Sequence, residues 1–103
     1  MPTNDYDITG NIKAIEKLKL ELLQSVVSLL KNMSNQRSEH EERLVLLTDA
    51  IIHTYMLAAR LGVDFTELDE AAVNRIKIEV LKEDGVLAAD YAALLRHIRG
   101  HKI

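Results

Sequence analysis

Four polar residues share one narrow stripe of a predicted helix, and two of them have a spacing suited to chemistry. At 100° per residue, Glu42, Asp49, His53 and Arg60 fall within about 40° of one another. Asp49 and His53 are four residues apart, so their side chains meet on one helix face. Such a pair can share a divalent metal, or the carboxylate can orient the imidazole as a base. The spacing is equally typical of a solvent-facing stripe, and both interpretations stay open.

Other charged residues also have a functional and a simpler interpretation. Glu21 follows Lys17 by four residues, which suits either a site carboxylate or a solvated ion pair. His40 lies in the first turn of a predicted helix, where a surface position is expected. The C-terminal segment is basic, which suits an anion contact or the preference of cations for a helix C-terminus. Its cluster is Arg96, His97, Arg99, His101 and Lys102. The sequence shows no glycine-rich phosphate loop and no Ser-His-Asp arrangement.

Length and composition limit the classes of protein. The chain has 103 residues, a net charge of −3 and no cysteine, which excludes disulfide scaffolds, Cys-ligated metals and thiol nucleophiles. At 48% hydrophobic and 28% charged residues, it is typical of a single globular domain over residues 1–103. No segment has the length of a membrane span, and the N-terminus does not resemble a signal peptide. We therefore expect a cytoplasmic protein with no membrane partner, and the mild acidity makes nucleic acid an unlikely partner.

Apolar periodicity predicts four helices and no strand. The predicted helices run from Ile8 to Met33, from Ser38 to Leu61, from Phe65 to Lys82 and from Val86 to Ile98. Asp7 or Thr9 is expected to cap the first helix, and Ser38 with Glu41 has the spacing of a capping box. Gly62, Gly85 and Gly100 are expected to end the second, third and fourth helices.

The second helix carries apolar residues around most of its circumference, which predicts burial on nearly all sides. The first helix has an apolar row of Ile12, Ile15, Leu18, Leu22, Val26, Leu29 and Met33. Its other side is polar and is predicted to face outward, with Lys13, Lys17, Glu21, Gln24, Ser25, Ser28 and Asn32. Two shorter helices cannot easily cover two apolar helices of roughly 35–40 Å. The predicted fold is therefore all-α, with the two long helices completing a four-helix core across a subunit interface, most simply in a homodimer.

Two stretches of the chain resemble the MazG-like family of all-α proteins related to nucleoside triphosphate pyrophosphohydrolases. The first is the segment 7–23, DITGNIKAIEKLKLELL, and the second is the segment 55–63, YMLAARLGV. The similarity covers about residues 7–80 and is strongest to the small bacterial members. It implies an oligomeric helical protein that acts on, or descends from proteins acting on, nucleotides.

Active members of this superfamily carry Glu-Glu-x-x-Glu on the first helix and Glu-x-x-Asp on the second, and these carboxylates gather Mg²⁺. The matching positions here are Glu21, Leu22 and Ser25, followed by Leu46 and Asp49. Two of the five carboxylates are therefore retained. The resemblance implies Mg²⁺ ligation by Glu21 and Asp49 only if the chain is catalytic. From the residues themselves we add Glu42 and His53 as helpers, and Arg60 and Lys77 as phosphate contacts.

Three functions remain open at this point. Leu22 and Leu46 stand where metal ligands are expected, and a leucine cannot bind a metal ion but packs against apolar neighbours. They therefore favour a non-catalytic binding or regulatory protein with a degenerate Mg²⁺ motif. Both leucines are then expected to lie in apolar surroundings and not in a cleft. The alternative is an active Mg²⁺-dependent pyrophosphohydrolase with a nucleotide partner. A distant third is a HEPN-type RNase, whose Arg and His motif is matched by Arg96 and His101.

Overall fold

The computed structural model describes residues 5–35, 37 and 39–100, with side chains from Ile8 onward. Its four helices are α1 (Asp5–Ser34), α2 (His40–Arg60), α3 (Phe65–Lys82) and α4 (Gly85–Gly100). No strand occurs among these residues, so the all-α prediction is confirmed. The chain divides into two compact units, residues 1–64 with α1 and α2, and residues 65–103 with α3 and α4.

The turn after α2 follows the sequence prediction closely. Gly62 has φ +83°, the left-handed conformation that glycine adopts at little cost. The Gly62 N–H donates to the Ala59 carbonyl at 3.3 Å, and the Val63 N–H donates to the Ala58 carbonyl at 2.9 Å. This pair of hydrogen bonds is the Schellman motif, which satisfies the last free carbonyls of a helix. α3 then begins at Phe65 and ends at Lys82 as predicted.

The helix ends differ from the prediction in three places. α1 begins at Asp5, so Asp7 and Thr9 lie inside the helix and do not cap it. The N-cap of α2 is Glu39, without a side-chain capping bond, and the predicted cap Ser38 lies outside the described residues. Gly85 has φ +69° and begins α4, which extends through Gly100. Local capping signals therefore located these turns but not the first residues of α1, α2 and α4.

α1 and α2 pack against each other through a partly polar seam. Ser25 and Asn32 on α1 are each only 6% exposed, although both were predicted on the outer side. Asn11, Leu18, Ser25 and Asn32 are seven residues apart, so they form one row along α1. Three of these four side chains hydrogen-bond to α2, at Arg60, His53 and Arg43. The predicted polar outer face is thus, in part, the face that meets α2.

The large apolar side chains of α1 and α2 are mostly exposed in the single chain. Ala58 is the buried residue of α2, so the single chain does not give this helix the burial on nearly all sides that the sequence predicts. That burial stays a prediction for the oligomer. Six exposed residues of α1 fall within about 80° of one another and form one face. We call this the α1 apolar face, and its members are Ile8, Ile12, Leu23, Val26, Leu30 and Met33. On α2 the exposed apolar residues are Leu44, Val45, Leu47, Ile51, Ile52 and Met56.

The second unit is a hairpin of α3 and α4. Ile76 is its buried residue, while Leu68, Val80, Tyr91, Leu95 and Ile98 are half-buried. Ala72 of α3 is exposed, as are Leu87 and Leu94 of α4. Arg75 and Glu79 form an ion pair of 3.2 Å one turn apart on α3. Among the described residues, no helix has the length and hydropathy needed to cross a bilayer.

Candidate functional site

A pocket of about 240 Å³ lies between α1 and α2. Its wall is formed by Glu21, Gln24, Ser25 and Ser28 of α1 and by Leu46, Asp49 and His53 of α2. The structure therefore brings together three residues that the sequence singled out: Glu21, Asp49 and His53. Glu21 lies on α1, whereas Asp49 and His53 lie on α2, much later in the sequence. The antiparallel packing of the two helices brings the three side chains to one pocket.

His53 connects the two helices through both nitrogens of its ring. Nε2 lies 3.1 Å from Glu21 Oε2, and Nδ1 lies 2.8 Å from Ser25 Oγ. Because a carboxylate only accepts, Nε2 must carry a proton and donate to Glu21. The Ser25 hydroxyl also lies 2.8 Å from the Glu21 carbonyl oxygen, so its single proton serves either that carbonyl or Nδ1. The side chains of His53 and Glu21 are 21% and 34% exposed, so water reaches this network only in part.

This arrangement places a serine, a histidine and a glutamate in contact, which the sequence spacing did not indicate. It is unsuited to nucleophilic catalysis, because Ser25 is almost fully buried and cannot approach a substrate. What the network does is fix the imidazole between α1 and α2. It also holds one oxygen of the Glu21 carboxylate, whose other oxygen lies 3.7 Å from Lys17 Nζ.

Asp49 stands apart from that network although it shares the pocket wall. It is half-buried and makes no hydrogen bond or ion pair with the residues that the structure describes. The predicted pairing of Asp49 with His53 does not form, because both nitrogens of His53 face α1. The Asp49 carboxylate therefore remains available to a ligand in the pocket.

Glu42 and Arg60, the other predicted site residues of α2, do not contribute to the pocket wall. Glu42 is exposed and lies seven residues before Asp49, about 10 Å along the helix axis. Arg60 is exposed at the end of α2, about 16 Å from Asp49 along the axis, and its carbonyl oxygen accepts a long hydrogen bond of 3.4 Å from Asn11 Nδ2. Lys77 is an exposed residue of α3, in the second unit. Arg96 is exposed on α4, and His101 lies outside the described residues.

The two leucines that replace carboxylates have different surroundings. Leu22 is half-buried, is absent from the pocket wall, and continues a row with Ile15 and Leu29 that flanks the seam. Leu46 lines the pocket beside Asp49. The expectation that both lie away from a cleft is therefore wrong for Leu46. A cleft persists at this position, and its wall has an apolar side chain where a ligand oxygen would be needed.

The side chains of the pocket are a poor set of ligands for Mg²⁺. Mg²⁺ requires near-octahedral oxygen coordination and is usually held by carboxylates together with substrate phosphates. Here Glu21 is already bound by His53, Leu46 supplies no oxygen, and Asp49 is the remaining carboxylate. Among the described residues, no group of three or more carboxylate or imidazole side chains is arranged so that it could hold a metal ion. The residues present do not fit a resident Mg²⁺.

Three residues of the pocket wall were not proposed as site residues from the sequence: Gln24, Ser25 and Ser28. Helical spacing places these three residues on the same side of α1 as Glu21. It does not predict that this side packs against α2. One signal was present in the sequence. The seven-residue interval from Asn11 through Ser25 to Asn32 is typical of a helix seam that contains polar residues.

Comparison with known proteins gives one result. The family model of the MazG-like family matches residues 8–93, which is most of the chain. No curated protein and no solved structure matches the chain significantly. The matched range includes all of α2 and α3, all of α1 from Ile8 onward, and the first part of α4, to residue 93. The chain therefore belongs to the MazG-like family.

Proposed function

We propose that this chain is a non-catalytic, oligomeric member of the MazG-like family that acts by binding. The observation that carries the proposal is the wall of the α1–α2 pocket. Leu46 stands beside Asp49 there, and His53 holds the Glu21 carboxylate. Hydrolysis of a nucleoside triphosphate requires the anionic phosphates to be neutralised, usually by a cation between them and the protein carboxylates. With one carboxylate engaged and one position apolar, the pocket lacks the ligands for that cation.

Oligomer formation is the second part of this proposal, and it rests on the exposed apolar faces. Monomeric proteins rarely leave large contiguous apolar patches in water. The α1 apolar face and the exposed apolar residues of α2 together cover much of the hairpin. Burial of both faces against a second copy gives a four-helix core, with a two-fold axis as the simplest closed symmetry. The expected assembly is a homodimer.

The alternative function is a divergent Mg²⁺-dependent pyrophosphohydrolase, and one observation favours it. Glu21 and Asp49, the two retained carboxylates, line the same pocket. A pocket of about 240 Å³ is large enough for part of a nucleotide. This function requires the missing ligands to come from the nucleotide itself or from a second copy.

Pyrophosphate release separates the two functions. The purified protein is incubated with each of the common nucleoside triphosphates and Mg²⁺ or Mn²⁺, and pyrophosphate is measured with a coupled assay. Two variants accompany it: Asp49→Asn, in the pocket wall, and Asp84→Asn, an exposed position between α3 and α4. We expect the parent and both variants to show the same background rate. Metal-dependent release that Asp49→Asn loses and Asp84→Asn keeps would establish the enzyme and refute the proposal.

A further inference from the structure

The His53 ring occupies the place in the pocket from which a cation would reach Glu21. Its Nε2–H points at Glu21 Oε2 from 3.1 Å, and Nδ1 is held at 2.8 Å by Ser25 Oγ. An N–H group presents the positive end of its dipole to the carboxylate oxygen. A metal ion that binds this oxygen would lie beside the N–H, whose positive end repels a cation, so the ring has to move away for close binding.

Displacement of the ring has a cost that the packing sets. Both nitrogens of His53 bond to α1, and the side chain is 21% exposed. Rotation of the His53 ring away from Glu21 also breaks its hydrogen bond to Ser25, which is nearly buried. Because a buried polar group without a partner destabilises the fold, this rotation costs free energy. The metal in return would gain one oxygen of Glu21 and the carboxylate of Asp49. For an ion that demands about six oxygens, this gain is small.

We propose that His53 excludes divalent cations from the α1–α2 pocket by holding the Glu21 carboxylate, so that the site functions without metal. The inference rests on the proposed non-catalytic function and gives it a specific cause. Metal binding is then absent for two reasons: His53 holds the Glu21 carboxylate, and Leu46 replaces a carboxylate. Removal of His53 in favour of a carboxylate should therefore create a metal site in the present pocket.

The test uses Mn²⁺ alone as the probe, with free Mn²⁺ measured by electron paramagnetic resonance. The variant His53→Asp replaces the blocking ring with a third carboxylate beside Glu21 and Asp49. The matched control Thr54→Asp adds the same charge to the next, exposed residue of α2, whose hydroxyl donates to the Ala50 carbonyl. We expect His53→Asp to bind Mn²⁺ at least tenfold more tightly than the parent, and Thr54→Asp to bind it as weakly as the parent. Equal affinity in all three proteins, or tight binding by the parent, would overturn the proposal.

A second measurement uses the unmodified protein, so it holds even if His53→Asp does not fold. The ¹⁵N resonances of the His53 ring report the hydrogen bonds of Nδ1 and Nε2 directly. On addition of Mg²⁺ to millimolar concentration, we expect both resonances to stay in place. A saturable shift of either resonance would show that metal reaches the ring and would refute the proposal. Because no nucleotide is present, these results are independent of the pyrophosphate assay, whose outcome judges the proposed function by itself.

Discussion

Placement of a carboxylate at each of the two replaced positions, one at a time, tests the difference between Leu22 and Leu46. Leu46→Glu puts a charge at the wall of the pocket, where water can solvate it. Leu22→Glu puts the same charge on the row with Ile15 and Leu29, outside the pocket. We expect Leu22→Glu to be the more destabilising substitution, although the two changes are chemically identical and both leucines are half-buried.

The expected magnitudes follow from burial and solvation. Full burial of a leucine side chain contributes about 1.5–3 kcal/mol, so a half-buried one contributes about 1 kcal/mol at either position. At Leu22 the new carboxylate also loses water without gaining a partner, which adds about 1–3 kcal/mol. At Leu46 the added term is repulsion from Asp49 and Glu21 through water, about 1 kcal/mol or less. The two variants should therefore differ by about 1–2 kcal/mol, or roughly 4–8 °C in melting temperature for a chain of this size.

The assay is thermal and urea denaturation followed by far-ultraviolet circular dichroism, with all proteins at one concentration and with EDTA present. The fixed concentration matters because an oligomer gains apparent stability with concentration. Equal destabilisation by both substitutions would show that Leu22 and Leu46 do not differ in their access to water. A larger loss for Leu46→Glu would show that the pocket is closed in solution and that Leu46 is packed as the sequence first suggested.

Three further outcomes are expected. In a double-mutant cycle, Ser25→Ala and His53→Ala should show a coupling energy of about 1 kcal/mol by urea denaturation, and additive losses would mean that their hydrogen bond does not form. Asn32→Ala should lower the urea midpoint by the equivalent of about 1–2 kcal/mol, because the Arg43 guanidinium loses the acceptor 3.0 Å from its Nε. An unchanged midpoint would show that this hydrogen bond does not stabilise the packing of α1 against α2. Light scattering of the parent should give a mass that is a multiple of 11.6 kDa. Ile51→Asp or Leu47→Asp should lower that mass toward the monomer or unfold the chain, because a buried unpaired charge is costly. A stable folded parent monomer at micromolar concentration would refute the oligomer.

The sequence predicted which segments are helical because helix formation follows local periodicity. The bounds of α3 and the left-handed Gly62 are local features, and both agree with the prediction. The orientation of α1 toward α2 is not local. α1 has an apolar row and a polar row, and the usual assignment of the apolar row to the chain's own core placed Ser25 and Asn32 on the outside, whereas both are buried.

The candidate site shows the same division. Glu21, Asp49 and His53 were singled out by residue type and spacing, and all three line one pocket. The predicted partnership of Asp49 with His53 came from their i,i+4 spacing on one helix. The actual partners of His53 are Glu21 and Ser25, which are 32 and 28 residues away. A contact between helices depends on how they pack, and single-helix geometry carries no information about it.

The row of Asn11, Ser25 and Asn32 has a consequence for how this hairpin can change length. Each of the three bonds a fixed place on α2: the Arg60 carbonyl, the His53 ring and the Arg43 side chain. Apolar contacts tolerate small slides along a helix, but these bonds are directional and occur at one alignment only. Insertion of one residue in the middle of α1 turns half of the row away from α2 by about 100°. Insertions that preserve the hairpin should therefore come as whole heptads, matched in both helices.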